Sequence, residues 1–223
     1  MLEKLTLGME VDGFVIGERV HSGGQGVIFK VTSPDGCSSL IMKVPRIGSG
    51  EISESMLNFE SEATILPTLS GPHVPRFVAA GDLARTPYLV TEWIEGDSLA
   101  YWLAGGPLPV LEAVRVGAAI ADALHSLHLQ DTIHLDLKPE NIILRRDGTA
   151  VLIDFGLAHH ARYPDLLAEE KRFAAGSAPY ISPEQVLDTR SDSRSDIFSL
   201  GVVLYEMATG KLPFGSPETI KGM

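Results

Sequence analysis

Apolar positions in the first ninety residues recur in short alternating or continuous runs, which is the pattern of strands rather than helices. Phe14-Val15-Ile16 leads to the turn-forming Gly23-Gly24-Gln25-Gly26, and Val27-Ile28-Phe29-Lys30-Val31 follows. Ser33-Pro34-Asp35-Gly36 reads as a hairpin turn, since proline presets one turn dihedral and glycine tolerates positive φ. Leu40-Ile41-Met42-Lys43-Val44 is the next predicted strand. The period then changes. Met56, Phe59, Ala63, Leu66 and Leu69 recur at helical spacing and predict a helix within residues 51–69, ended by Pro72 and Pro75. Strands return near residues 76–80 and 88–93.

Beyond Glu95-Gly96-Asp97 the pattern becomes helical. Val110, Val114, Gly117, Ala121, Leu124 and His128 fall on one stripe and predict a helix packed on the core through that stripe. Ile142-Ile143-Leu144 and Val151-Leu152-Ile153 flank Arg146-Asp147-Gly148-Thr149, an Asp-Gly hairpin. Residues 196–209 are apolar nearly all round, which predicts a buried central helix. The plan is α+β: a small strand-rich lobe over residues 1–93, a connector near 92–97, and a mainly helical lobe over 94–223. No internal repeat is present.

Charge narrows the partners. The 223 residues carry 29 acidic and 18 basic side chains, a formal charge of −11. That balance disfavours non-specific binding to nucleic acid or anionic membrane, which needs a basic footprint. It does not exclude a nucleotide, because a phosphate site needs only a few local donors. The one cysteine, Cys37, cannot form an internal disulfide. The first residues have no signal-peptide core, and no apolar run reaches the length of a transmembrane helix. A soluble, cytoplasmic protein is the expectation.

Individual motifs in the first lobe are weak evidence. A Gly-rich turn between strands lets backbone N–H groups approach phosphates, but it is equally a plain hairpin bend. Lys43 could simply snorkel past its apolar neighbours, and Glu62 could simply be solvated on its helix. The second lobe changes the odds. Ile133-His134-Leu135-Asp136-Leu137-Lys138-Pro139-Glu140-Asn141 packs a His, two acids, a Lys and an Asn together. Downstream, Val151-Leu152-Ile153 runs into Asp154-Phe155-Gly156. Hard oxygens from Asn and Asp suit Mg²⁺, which prefers one or two carboxylates plus phosphate oxygens. A further aspartate can orient and deprotonate a hydroxyl nucleophile.

In this order the motifs resemble the eukaryotic-type (Hanks-type) serine/threonine protein kinases, in particular their bacterial branch. The order runs through a Gly-rich loop, a lysine on the third strand, a helix glutamate, a catalytic loop and an Asp-Phe-Gly. It ends with Gly176-Ser177-Ala178-Pro179-Tyr180-Ile181-Ser182-Pro183-Glu184, ahead of Ser195-Asp196-Ile197-Phe198. The match covers residues from about 13 to 215. It implies a bilobal protein-kinase fold, ATP and Mg²⁺ as cofactors, and a protein substrate with a Ser or Thr acceptor. By the same resemblance Lys43 binds the α- and β-phosphates and pairs with Glu62, while Gly23, Gly24 and Gly26 belong to the loop that closes over them. Ile28, Thr91, Glu92 and Ile94 join the nucleotide-contacting set, with Thr91 in the gatekeeper place and residues 92–94 offering hinge backbone. Asp154 and Asn141 hold magnesium, Asp136 accepts the hydroxyl proton, and Lys138 neutralises the γ-phosphoryl. Ser177 contacts the catalytic aspartate and lysine. His134 and Asp196 anchor the catalytic loop to the central helix.

Three features depart from the family pattern. His21 stands where the first loop glycine is usual. Leu135 replaces the arginine that ordinarily receives an activation-loop phosphate, and residues 157–175 contain Tyr163 but no Ser or Thr, so receptor and phosphate site are missing together. The sequence also stops soon after residues 196–209, where the family domain continues through further helices. That predicts an exposed apolar face on the central helix, to be covered by further chain or by a partner. Two alternatives stay open: an inactive pseudokinase acting as a nucleotide-binding scaffold, and a small-molecule phosphotransferase with the same ancestral lobes. The segment from Gly176 to Glu184 argues against the second, because it builds a peptide-binding ledge.

Overall fold

The computed structural model describes residues 5–23, 26–36, 39–46, 54–165, 176–187 and 192–215. The chain divides into two compact units. One is Met1–Thr68 with Pro75–Trp93, and the other is Leu69–Val74 with Ile94–Met223.

The first unit is a six-stranded antiparallel sheet and one helix. Its strands are β1 (Glu10–Val11), β2 (Phe14–Ser22), β3 (Gly26–Thr32), β4 (Ser39–Pro45), β5 (Phe77–Ala80) and β6 (Leu89–Glu92), in spatial order β1-β2-β3-β4-β6-β5. Alternation sets the register. Leu40, Met42 and Val44 of β4 are buried with Phe29 and Val31 of β3, while Ile41 and Lys43 face the other way. The β3–β4 turn forms as its composition predicts: Gly36 has φ of 72° and its N–H donates to the Ser33 carbonyl at 2.9 Å. Helix α1 (Glu54–Ile65) continues as a 3-10 turn over Leu66–Thr68, so the helix ends before Pro72 is reached. Met56 and Ala63 are only partly covered, because the helix also buries the polar row Asn58, Ser61 and Glu62.

In the second unit, β7 (Asp97–Ser98) runs into α2 (Leu99–Leu103), whose first turn is capped by Ser98 Oγ accepting from the Tyr101 N–H at 3.2 Å. Then come α3 (Val110–His128), β8 (Thr132–Ile133), β9 (Ile142–Leu144), β10 (Ala150–Leu152), β11 (His159–His160), α4 (Pro183–Val186) and α5 (Arg194–Thr209). β10, β9 and β7 form a three-stranded sheet, and β11 pairs with β8. The Asp-Gly hairpin closes β9 onto β10, with Gly148 at φ of 88°. Residues 69–74 belong here because His73 bonds to this hairpin: its carbonyl accepts from the Leu152 N–H at 2.9 Å and its Nδ1 meets the Ala150 carbonyl at 2.8 Å.

The apolar stripe expected on α3 is corrected by the structure. Val110 and Val114 are 78% and 61% exposed, and the buried row is Ala113, Val116, Gly117, Ile120, Ala123, Leu124 and Leu127. Of the expected stripe, Gly117 and Leu124 are inside and Val110, Val114 and Ala121 are outside; α5 packs at Gly117, where a Cβ would sit 2.5 Å from Leu204 Cδ2. Helix α5 buries Ser195, Asp196, Ser199, Leu200, Val202, Val203 and Met207 and leaves Ile197 and Tyr205 exposed. It ends at Gly210, whose φ of 67° suits a glycine cap. Among the described residues no helix is long and apolar enough to cross a membrane.

Candidate functional site

Two groups of polar residues stand out, one on each unit. On the first unit, strand register places Ile28 directly opposite Lys43, so the two share a face. Lys43 Nζ meets Glu62 Oε2 at 2.5 Å, with side chains only 15% and 6% exposed. A lysine and a glutamate so far from water are held as a pair, which disposes of the solvated readings of both. The glycine turn is closed by the Gly23 N–H donating to the Gly26 carbonyl at 3.0 Å. Gly26 has to be glycine, because a Cβ there would lie 2.4 Å from the Val44 carbonyl oxygen. Gly24 lies outside the described residues. The exposed His21 turns its ring over Gly23, within 2.8 Å of where a Cβ of that residue would be. Thr91 is buried on β6 and Glu92 ends that strand, while Ile94 is buried as the second unit begins.

The second group is built around Asp136, which is buried. Its Oδ2 accepts from Lys138 Nζ at 2.8 Å and from Asn141 Nδ2 at 3.1 Å. Its Oδ1 accepts from the Ser177 hydroxyl at 2.8 Å and the Ser177 N–H at 3.0 Å. Lys138 Nζ also donates to Ser177 Oγ at 2.7 Å. The carboxylate is therefore fixed in orientation from both sides. Asn141 spends its amide hydrogens on Asp136, the second going to the backbone carbonyl at 2.9 Å, and this leaves its side-chain carbonyl oxygen as a donor to a cation. Asp154 follows at once, since the Ile153 N–H donates to the Asn141 carbonyl at 3.0 Å and Asp154 itself takes a left-handed φ of 64°. That backbone bond brings the Asn141 and Asp154 segments together, and an amide oxygen and a carboxylate are both hard ligands of the kind that magnesium takes.

Asp196, at the start of α5 and fully buried, supports this group from behind. Its Oδ2 accepts the His134 N–H at 2.9 Å and its Oδ1 the Leu135 N–H at 2.8 Å. His128 Nε2 reaches the same Oδ2 at 2.8 Å. The anchoring expected of Asp196 and His134 is thus present. His134 Nδ1 accepts the Asp136 N–H at 3.3 Å, which leaves the proton on Nε2 to bond the Ile153 carbonyl at 3.1 Å. The ring also packs on Phe155, centroid to centroid 5.2 Å. One histidine therefore ties the loop that carries Asp136 to the Asp154 segment.

Sequence reasoning missed two participants. His128 read as part of an apolar stripe, and nothing in its spacing announces a carboxylate partner 68 positions away. Gln185 has no motif of its own, yet it is buried and its Nε2 donates to the Leu135 carbonyl at 2.9 Å. Glu184 beside it accepts from the Ser195 hydroxyl at 2.7 Å, and that bond holds its carboxyl below the ordinary value. Tyr180 donates its hydroxyl to Glu206 at 2.7 Å; burial, chiefly, pushes the phenol far above its ordinary range.

Comparison with known proteins bears on the same residues. The protein kinase domain model matches residues 14–222. A probable serine/threonine-protein kinase of Clostridium perfringens is 33% identical over 217 residues, which is 93% of this chain and 31% of that protein. The serine/threonine-protein kinase pkn2 of Myxococcus xanthus is 36% identical over 164 residues, 71% of this chain and 20% of that protein. The kinase PknL of Mycobacterium bovis is 31% identical over 202 residues, 90% of this chain and 50% of that protein. The chain spans at most half the length of these relatives.

Proposed function

The chain belongs to the protein kinase domain family, and on that premise we propose that it transfers the γ-phosphoryl group of ATP to a Ser or Thr hydroxyl of a protein substrate. The observation that carries this reading is the geometry around Asp136, whose carboxylate is buried, oriented by Ser177 and flanked by the Lys138 ammonium. In this reading Asp136 orients the substrate hydroxyl and accepts its proton as the oxygen attacks. Lys138, within reach of the same carboxylate, offsets negative charge on the transferring group. Lys43, oriented by Glu62, grips the α- and β-phosphates, while Gly23 and Gly26 give backbone N–H groups access to them. Ile28 and Thr91 face the base, and the backbone of Glu92 to Ile94 pairs with its edge. Asn141 and Asp154 hold magnesium, which when bound neutralises phosphate charge. The work of the residues is positioning and electrostatic stabilisation rather than covalent chemistry.

The pairing of Lys138 and Asp136 with Ser177 supports a hydroxyl of Ser or Thr in a peptide as the acceptor, and it favours the protein substrate over a small molecule. The test is Mg-ATP phosphotransfer to casein by the full chain, with Asp154→Asn as the control. Incorporation on Ser or Thr above that control is expected. Incorporation equal to the control overturns the reading.

A further inference from the structure

Leu135 occupies the position before Asp136 and has a left-handed φ of 61°, a region that leucine rarely enters without being held there. Both of its backbone polar groups are taken by buried side chains. Its N–H goes to Asp196 Oδ1 at 2.8 Å, and its carbonyl accepts from Gln185 Nε2 at 2.9 Å. Gln185 is 5% exposed, and its amide orientation is dictated at both ends. Its Oε1 accepts from the Ser182 N–H at 3.2 Å and the Ser182 hydroxyl at 3.0 Å, so Nε2 is the end that must face Leu135. The same Nε2 would lie 3.5 Å from a Cβ on Gly176, the residue before Ser177. Thus one side chain bonds the loop that carries Asp136 and lies near the segment that carries Ser177.

We propose that Gln185 is a positioning residue for the catalytic loop: by holding the Leu135 carbonyl while Asp196 holds its N–H, it fixes residue 135 in the left-handed conformation that aims Asp136. This rests on the protein-kinase reading and deepens it. Where Leu135 stands, an arginine would tie the loop to a phosphate on residues downstream. Leucine cannot do that, and here the tie runs through the backbone of the same residue to a neutral amide instead. An uncharged donor needs no modification to be present, so seating of α4 adds its bond to those that Asp196 and Ser177 supply. The bond to Leu135 is a separate matter from the cap that Gln185 shares with Ser182, and the two can be broken one at a time.

The experiment uses the full chain with three variants: Gln185→Met, which removes the donor at similar volume; Gln185→Glu, which keeps an acceptor for Ser182; and Ser182→Ala, which weakens only the cap. Steady-state phosphorylation of casein is counted per Mg-ATP-binding molecule, and amide hydrogen exchange is followed at residues 134–137. For Gln185→Met we expect kcat to fall by about tenfold to a hundredfold, with the KM for ATP within about twofold, because the acid-base group is misaimed while the nucleotide contacts persist. Exchange at 134–137 should quicken in the same variant. Ser182→Ala should retain kcat and show quickened exchange at 182–187 alone. If Gln185→Met does not fold, Gln185→Glu gives the same readouts. The proposal is overturned if kcat per binding molecule and exchange at 134–137 both stay at wild-type values. A wild-type chain without phosphotransfer would instead sink the kinase reading, and exchange at 134–137 would still decide the role of Gln185.

Discussion

Oδ1 of Asp136 accepts two hydrogen bonds from Ser177, one from the hydroxyl at 2.8 Å and one from the backbone N–H at 3.0 Å. The residue 41 positions away thereby fixes the rotation of the carboxylate proposed to orient the substrate hydroxyl. Ser177→Ala removes the hydroxyl bond to Asp136 and the acceptor of Lys138. We expect kcat to fall by about tenfold, with Ser177→Thr retaining most activity, since threonine keeps the hydroxyl. Steady-state kinetics on casein with both variants checks this; equal rates for wild type and Ser177→Ala would contradict it.

Lys43 and Glu62 form a pair from which water is largely excluded. Lys43→Met takes away the proposed phosphate contact and removes the ammonium that faces Glu62. Phosphotransfer should drop about a hundredfold or more. Glu62→Gln should be milder, because the amide can still meet Lys43. Single-turnover rates at saturating Mg-ATP separate the two, and a Lys43→Met rate near wild type would remove Lys43 from the phosphate site.

Asp196 is fully buried and accepts from His134, Leu135 and His128. Asp196→Asn replaces one acceptor oxygen by a donor that faces another N–H. Destabilisation of about 2–4 kcal/mol is expected from the orphaned buried donors. Urea denaturation measures it, and an unchanged midpoint would show that the anchor is dispensable.

Glu184 titrates below its ordinary value chiefly because Ser195 donates to it. A carboxyl lowered on folding adds stability that is fully present above its unfolded pKa. That stability is lost as pH falls through the lower folded value. In Ser195→Ala the Glu184 midpoint should therefore move up toward its unfolded value, so the stability lost in acid should shrink while its onset, set by the unfolded pKa, stays in place. Carboxyl-carbon NMR reads the midpoint directly; no upward movement would discount the bond.

Tyr163 packs its ring edge-on against His160, with centroids 4.9 Å apart, and is partly exposed. Residues 157–175 offer no Ser or Thr, and Leu135 has no charge with which to receive a phosphate. Tyr163→Phe keeps the ring contact and should leave phosphotransfer within about twofold of wild type, the usual range for a surface change away from the chemistry. Phosphosite mapping beside the assay checks it: phosphate on Tyr163 together with lost activity in Tyr163→Phe would establish the opposite.

Much of this was legible from local chemistry. The strand runs, the two hairpin turns and the helix near residue 54 rest on side-chain period and on glycine and proline, which act within a few residues. The ordered acids, lysines and Asn141 likewise suggest magnesium-nucleotide chemistry, because their types and order are read along the chain. The face of α3 was not legible. Gly117 and Leu124 of the expected stripe are buried, but Val110, Val114 and Ala121 are not, and the residues inside beside them, such as Val116 and Ile120, are set by what packs on the helix.

The sequence by itself therefore marked out the candidates: the carboxylates, the two lysines, the amide of Asn141 and the glycines of the turn. Tertiary structure decided what each is held by. Ser177 orients Asp136, Glu62 takes Lys43 out of water, and Asp196 collects three donors. Gln185 and His128 acquire their parts only through partners 50 and 68 positions away. The reason is physical: residue type and period report interactions along the chain, whereas a buried hydrogen bond is set by whichever segment packing brings to it.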